Sequence, residues 1–160
     1  MNLFGLLSKH FWILFIVVTF ANAIIMKIRT RKHIERDPSL KVGYDIIFKG
    51  FLIWGNIPWV VMGAGILTGR VPTIWHYFKP QDGNPYIIAF FISIFIVWLL
   101  GTYWLFVKNG ADLLVSHPGI FRSDFSSSTK VKLFWVLSLI GGIAAVIMIF
   151  SMNLPILNIR

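Results

Sequence analysis

Long apolar stretches alternate with short charged ones along this 160-residue chain, and the apolar stretches are too continuous for a soluble core. A helix crossing the hydrocarbon of a bilayer needs about 20 mostly apolar residues. Four runs fit that requirement: residues 11–26, 51–68, 86–107 and 133–152. The first is interrupted only by Thr19 and Asn22 and is slightly short, but Lys9 and Lys27 at its ends can reach out to the headgroups. The third carries no charge at all. The pattern predicts an all-α integral membrane protein, a four-transmembrane-helix bundle forming one domain over residues 1–160.

The first run also has the outline of a signal peptide, with Ala21-Asn22-Ala23 as an A-x-A cleavage site. Three more apolar residues follow it, and then Lys27, Arg29, Arg31 and Lys32 put the heavier charge after the run rather than before it. An uncleaved anchor is expected.

The connectors carry their own signals. Asp37-Pro38 reads as a helix cap followed by proline at the first helical position. From there Leu40, Tyr44, Ile47, Phe48 and Phe51 recur at helical spacing, with Lys41, Asp45 and Lys49 on another face. This predicts a short interfacial amphipathic helix before the second span, with Gly43 or Gly50 available for a bend. In the second connector Trp75, His76, Tyr77 and Phe78 stand in a row, as expected of side chains anchored at headgroup depth. Pro80-Gln81-Asp82-Gly83 is a turn, and Asn84-Pro85 starts the third helix. Lys108-Asn109-Gly110 reads as a helix end stopped by glycine, and the run 126–129 (Ser-Ser-Ser-Thr) offers caps for the fourth span. Beyond Pro155 the apolar tail is expected to lie along the outer interface.

Composition agrees with a lipid environment. Hydrophobic residues make up 57% of the chain and charged residues 13%, against about 25% charged in soluble proteins. Mean hydropathy is +0.77. The formal charge of +9 comes from 15 Lys and Arg against 6 Asp and Glu. Eleven of the 15 fall in the first and third connectors, so loops 27–50 and 108–132 are expected in the cytoplasm and both termini outside. The layout suits a bacterial inner membrane, with anionic lipid at the basic face. No zinc-finger spacing or RNP-like pattern supports nucleic-acid binding. The absence of cysteine excludes disulfides, thiol redox chemistry and thiolate metal sites.

The chemistry-bearing residues avoid the spans. No Asp, Glu, Lys, Arg or His lies inside the four runs, which argues against a proton-driven exporter and against bis-histidine haem. Small multidrug exporters have a similar span count but rely on a membrane glutamate that is missing here. Vitamin K epoxide reductase-like proteins require cysteine pairs, also missing. His10 and His76 are expected outside and His33 and His117 inside, so at most two can share a site, and none of the four is expected to be more than interfacial or solvated. No HExxH, G-x-S-x-G or GxxxxGK[ST] motif occurs. An acid–base pair of Asp112 and His117 is conceivable, but Asp112 reads better as an early helix-turn residue. No catalytic residue, cofactor or metal is assigned.

The second span holds the one unusual polar feature, Asn56-Ile57-Pro58. Proline frees the carbonyl one turn back, that of Trp54, and predicts a kink. Asn56 is expected either to bond across the bundle to Thr102, Ser93 or Ser138, or to line a small polar cavity. Gly63, Gly65 and Gly69 follow, the last two forming a GxxxG face; Gly141 and Gly142, with Ala144 and Ala145, make a second small-residue patch on the fourth span. Spans two and four are therefore expected to pack closely, or one of them to face a partner. These features point to a non-enzymatic accessory, assembly or scaffold subunit that packs against other membrane subunits or itself. The alternatives are a small oligomeric channel or carrier using the Asn56–Pro58 break, and an interfacial enzyme acting on lipid or quinone near His76 or Asp112.

Overall fold

The computed structural model describes residues 3–122 and 124–152. Five α-helices follow in order: α1 (Leu3–Arg36), α2 (Lys41–Leu67), α3 (Pro85–Phe106), α4 (Gly110–Ser116) and α5 (Ser128–Ser151), with no strand among the described residues. Four of them, α1, α2, α3 and α5, are long and apolar enough to cross a membrane. The expected tail beyond Pro155 lies outside the described residues.

Two connectors differ from expectation. α1 is 34 residues long, so Lys27, Arg29, Arg31, Lys32 and Arg36 sit on its last turns and not in a loop. No proline or glycine interrupts that stretch, and an Arg31–Glu35 ion pair at 2.8 Å links successive turns. The chain turns at Asp37, whose carboxylate accepts from the Ser39 hydroxyl at 2.6 Å and the Ser39 amide at 3.0 Å. Those two bonds hold the Asp37 carboxyl below its ordinary range. A 3-10 turn at Pro38–Leu40 then runs directly into α2. The amphipathic stretch is thus the first turns of α2 and not a separate helix. Its face is as expected in part: Tyr44, Ile47 and Phe48 are buried and Leu40 half-buried, while Lys41, Asp45 and Lys49 are exposed, but Phe51 is exposed as well. Helix α2 continues through Gly43, Gly50 and Pro58.

The caps of the later helices follow the sequence. Asn84 accepts from the Tyr86 amide at 3.0 Å to start α3, and Ser127 caps α5. Between α3 and α4 it is Asn109, at φ 55°, that takes the left-handed position, and Gly110 begins α4.

The spans pack in the order α1, α2, α3, α5, with α4 beside α3 and α5. Helices α2 and α5 are not a packing pair, contrary to the expectation from their glycines, because Gly63, Gly65 and Gly142 receive aromatic rings from other elements. A Cβ on Gly63 would lie 2.7 Å from the Trp12 ring of α1. One on Gly142 would lie 2.6 Å from Trp98 of α3, and one on Gly101 of α3 would lie 2.7 Å from Trp135 of α5. Helices α3 and α5 therefore interlock reciprocally, tryptophan into glycine, and Trp135 adds a hydrogen bond from Nε1 to Thr102 Oγ1 at 2.9 Å. Buried clusters gather at the two ends of the molecule. Met62, Val71, Ile74, Tyr77, Ile87, Phe90 and Phe91 form one, under the 68–84 connector. Met26, Tyr44, Ile47, Phe48 and Ile120 form another at the basic end.

Candidate functional site

The Asn56–Pro58 stretch lies midway along α2, beside Thr19 of α1: a Cβ on Gly55 would meet Thr19 Cγ2 at 3.6 Å. Asn56 is buried and lines a groove of about 420 Å³ between α1 and α2, with Ile16, Phe20, Ile53, Ile57 and Val60 as neighbours. It does not bond across the bundle. Its Nδ2 donates to the Leu52 carbonyl of its own helix at 2.7 Å, and Oδ1 has no partner. The three hydroxyls expected to meet it also turn back on their own helices. Ser93 donates to Phe90 O at 2.6 Å, Thr102 to Trp98 O at 2.8 Å and Ser138 to Phe134 O at 2.9 Å. Pro58 supplies no amide hydrogen to Trp54 O, so the helix centre holds an unpartnered amide oxygen two residues from a carbonyl that lacks its helical donor.

The glycines divide into three kinds. Gly63, Gly65 and Gly142 are notches for rings; at Gly65 a Cβ would lie 2.4 Å from the Tyr77 hydroxyl oxygen. Gly69 is not on a helix face at all. It follows the end of α2 with φ 69°, where only glycine turns without strain, so the expected GxxxG pair does not exist as a packing motif. Gly141 has nothing within 4 Å of a built Cβ and lies on the open side of α5.

The aromatic row forms a 3-10 turn at Ile74–Phe78. Trp75 and His76 are half-buried, and Thr73 Oγ1 lies 3.1 Å from His76 Nδ1. Tyr77 turns inward instead of serving as an interfacial anchor. It is 2% exposed, its ring packs edge-on against Phe90, and its hydroxyl donates to Met62 O at 3.0 Å. Burial pushes its phenol up to about 12.

Asp112 and His117 are engaged separately. Asp112 accepts from the Ser128 hydroxyl, tying α4 to α5. His117 is buried, against the expectation of a solvated ring. Its Nδ1 lies 2.7 Å from Leu113 O, and the ring stands edge-on to Tyr44. Gly43 is the notch it fills, and Tyr44 closes the contact by donating to Pro118 O at 2.6 Å. Among the described residues no group of three or more His, Asp or Glu side chains is placed to hold a metal ion.

Two features escaped sequence reasoning. Gln81 Nε2 reaches the carbonyls of Ile149, Phe150 and Met152 at 3.1, 2.7 and 3.1 Å, so the second connector caps the end of α5. Nothing in a Pro-Gln-Asp-Gly turn announces a partner almost 70 residues away. The second feature is a cleft of about 600 Å³ between α2 and α5, floored by α3. It exists because these two helices do not pack together.

Comparison with protein-family models, with curated proteins and with solved structures finds no match. No relative contributes a function, and the reading rests on the chain's own surfaces. The most prominent is α5. Val131 is buried, and beyond it only Ser128, Lys132, Trp135, Leu139, Gly142, Val146 and Ile149 turn partly inward, at the three- and four-residue steps of one narrow stripe. No residue of its most apolar window is buried.

Proposed function

We propose that this protein is a non-enzymatic subunit of a larger membrane assembly, held to its partner, or to a second copy, through the outer face of α5. The carrying observation is that face: Leu137, Gly141, Ala144, Ala145 and Met148 lie together in the open, and Gly141 leaves the backbone accessible. Small residues let helices approach closely in lipid, where van der Waals contact drives association. In this reading the chain is a multi-pass protein of a bacterial inner membrane with both termini outside. The basic end, carrying residues 27–50 and 108–132, faces the cytoplasm and its anionic lipid. The second span bends at Pro58. The test is purification in a mild detergent at native abundance. Wild type is expected to leave the membrane in a larger complex, and Gly141→Leu to release it as a monomer. A monomeric, partner-free wild type contradicts the proposal.

One observation favours a second reading, a small channel or carrier at Asn56: the unpartnered Oδ1 in mid-helix. Flux through liposomes distinguishes the two. A carrier loses flux on Asn56→Leu, whereas a packing subunit shows none with either chain. Thermal unfolding adds a second readout. A buried orphan acceptor costs about 1–3 kcal/mol, so Asn56→Leu raises the melting temperature if nothing else binds there. The interfacial-enzyme reading has less support, since Asp112 and His117 bond to different groups.

A further inference from the structure

The cleft between α2 and α5 has a definite chemistry. Its walls are apolar: Ile46, Phe51, Ile53 and Trp54 come from α2, Val97 and Trp104 from α3, and Trp135 from α5. Among the described residues Lys49 is the only charged one on its lining. That lysine is exposed and has no ion pair or hydrogen bond within the described residues. It stands at the basic end of the cleft, two residues before the second apolar run begins. From Lys49 to Gly55, the deepest α2 residue on the lining, the helix rises about 9 Å, less than the ~15 Å of one hydrocarbon leaflet. The cleft is therefore a slot within a single leaflet, apolar along its depth and cationic at its mouth.

We propose that this slot holds an acyl chain of an anionic phospholipid, with the headgroup phosphate over Lys49. Volume decides against a transmembrane helix as the occupant. A helix about 10 Å across fills roughly 120 Å³ per residue, so about 600 Å³ admits some five residues, little more than one turn. A flexible chain fits the same space. The tryptophans at its walls give it flat apolar surfaces, and Gly50, which has nothing within 4 Å of a built Cβ, leaves room on the α2 side. The single charge gives headgroup selectivity, since each basic residue near a membrane surface favours anionic lipid about fivefold. The proposal is independent of the α5 partner, because the slot faces α2 and the partner face points away from it.

Trp54, Trp104 and Trp135 on the lining make the slot readable by fluorescence. The full chain is reconstituted in vesicles of phosphatidylcholine doped with phosphatidylglycerol or phosphatidylcholine whose acyl chains are brominated. Brominated phosphatidylglycerol is expected to quench wild type at about fivefold lower mole fraction than brominated phosphatidylcholine. Lys49→Gln, a change at an exposed site, is expected to remove that headgroup preference while chain quenching persists. Gly50→Leu, whose side chain enters empty space, is expected to remove the slot's share of the quenching for both lipids. Equal quenching by the two headgroups in wild type overturns the proposal. So does quenching of Gly50→Leu that matches wild type. A photoreactive residue at Phe51 that yields a peptide adduct instead of a lipid adduct also overturns it, by showing a protein segment in the slot.

Discussion

At Gly43 the space where a side chain would start is already occupied. A Cβ there would lie 1.9 Å from His117 Nε2, and the ring cannot retreat, being buried between Tyr44 and its bond to Leu113 O. Glycine inside a helix usually costs about 0.5–1 kcal/mol relative to alanine, so Gly→Ala ordinarily stabilises. Here the overlap reverses the sign. Gly43→Ala is expected to lower stability by about 1–3 kcal/mol, while Gly50→Ala, with open space, raises it. Paired thermal melts check this, and equal shifts of the same sign would count against the contact. Tyr77 makes a pH prediction. Its phenol is pushed up to about 12, above the roughly 10 of an unfolded tyrosine, because the neutral hydroxyl is buried and donates to Met62 O. The stabilisation is complete below pH about 10 and is lost as pH rises through about 12. The difference in phenolate absorbance between wild type and Tyr77→Phe is expected to titrate near the upper value while the protein is folded. Titration near 10 would place the ring in water. None of this was legible in the sequence, where Tyr77 reads as one of four adjacent aromatics and His117 as a turn residue. Headgroup anchors and core rings share one composition, and only the position of Gly65 and Gly43 across the bundle separates them.

The helices as elements were more legible than their neighbours. Twenty-residue apolar runs allow one backbone solution in lipid, so the four spans and the caps Asp37 and Asn84 could be read directly, and Ser127 is one of the four candidates at 126–129. The end of α1 could not, because charge ends an apolar run without ending a helix, and α1 continues to Arg36. Which helices pair was misread for a related reason. A glycine stripe shows where something approaches closely, but not whether a backbone or a ring fills it. On α2 and α5 the occupants are Trp12, Tyr77 and Trp98. The consequence at this scale is that α5 hangs on α3 by two reciprocal notches, Trp98 in Gly142 and Trp135 in Gly101, with Gln81 clamping its far end. Gly142→Leu is expected to separate α5 from α3. A thiol cross-linker joining cysteines at Phe91 and Phe150, whose rings meet between α3 and α5 at 5.1 Å, then loses its product in the variant, which the native chain's lack of cysteine makes easy to score. An undiminished cross-link would show that α5 is held by other means.

Across the whole molecule the packed regions lie at the two ends, while the middle is bordered by a groove on the α1–α2 side and a slot on the α2–α5 side. A closed bundle would have buried its helices against each other; this one leaves α5 on the periphery, with no residue of its most apolar stretch buried. That open face is the centre of the account. It is tested most directly by placing a photoreactive residue, one position at a time, along α5 from Leu133 to Phe150 in native membranes. Protein adducts are predicted at Leu137, Gly141, Ala144, Ala145 and Met148, recurring with the helical period and absent from Ile140 and Ile147. Adducts to lipid alone along the whole of α5 would contradict it.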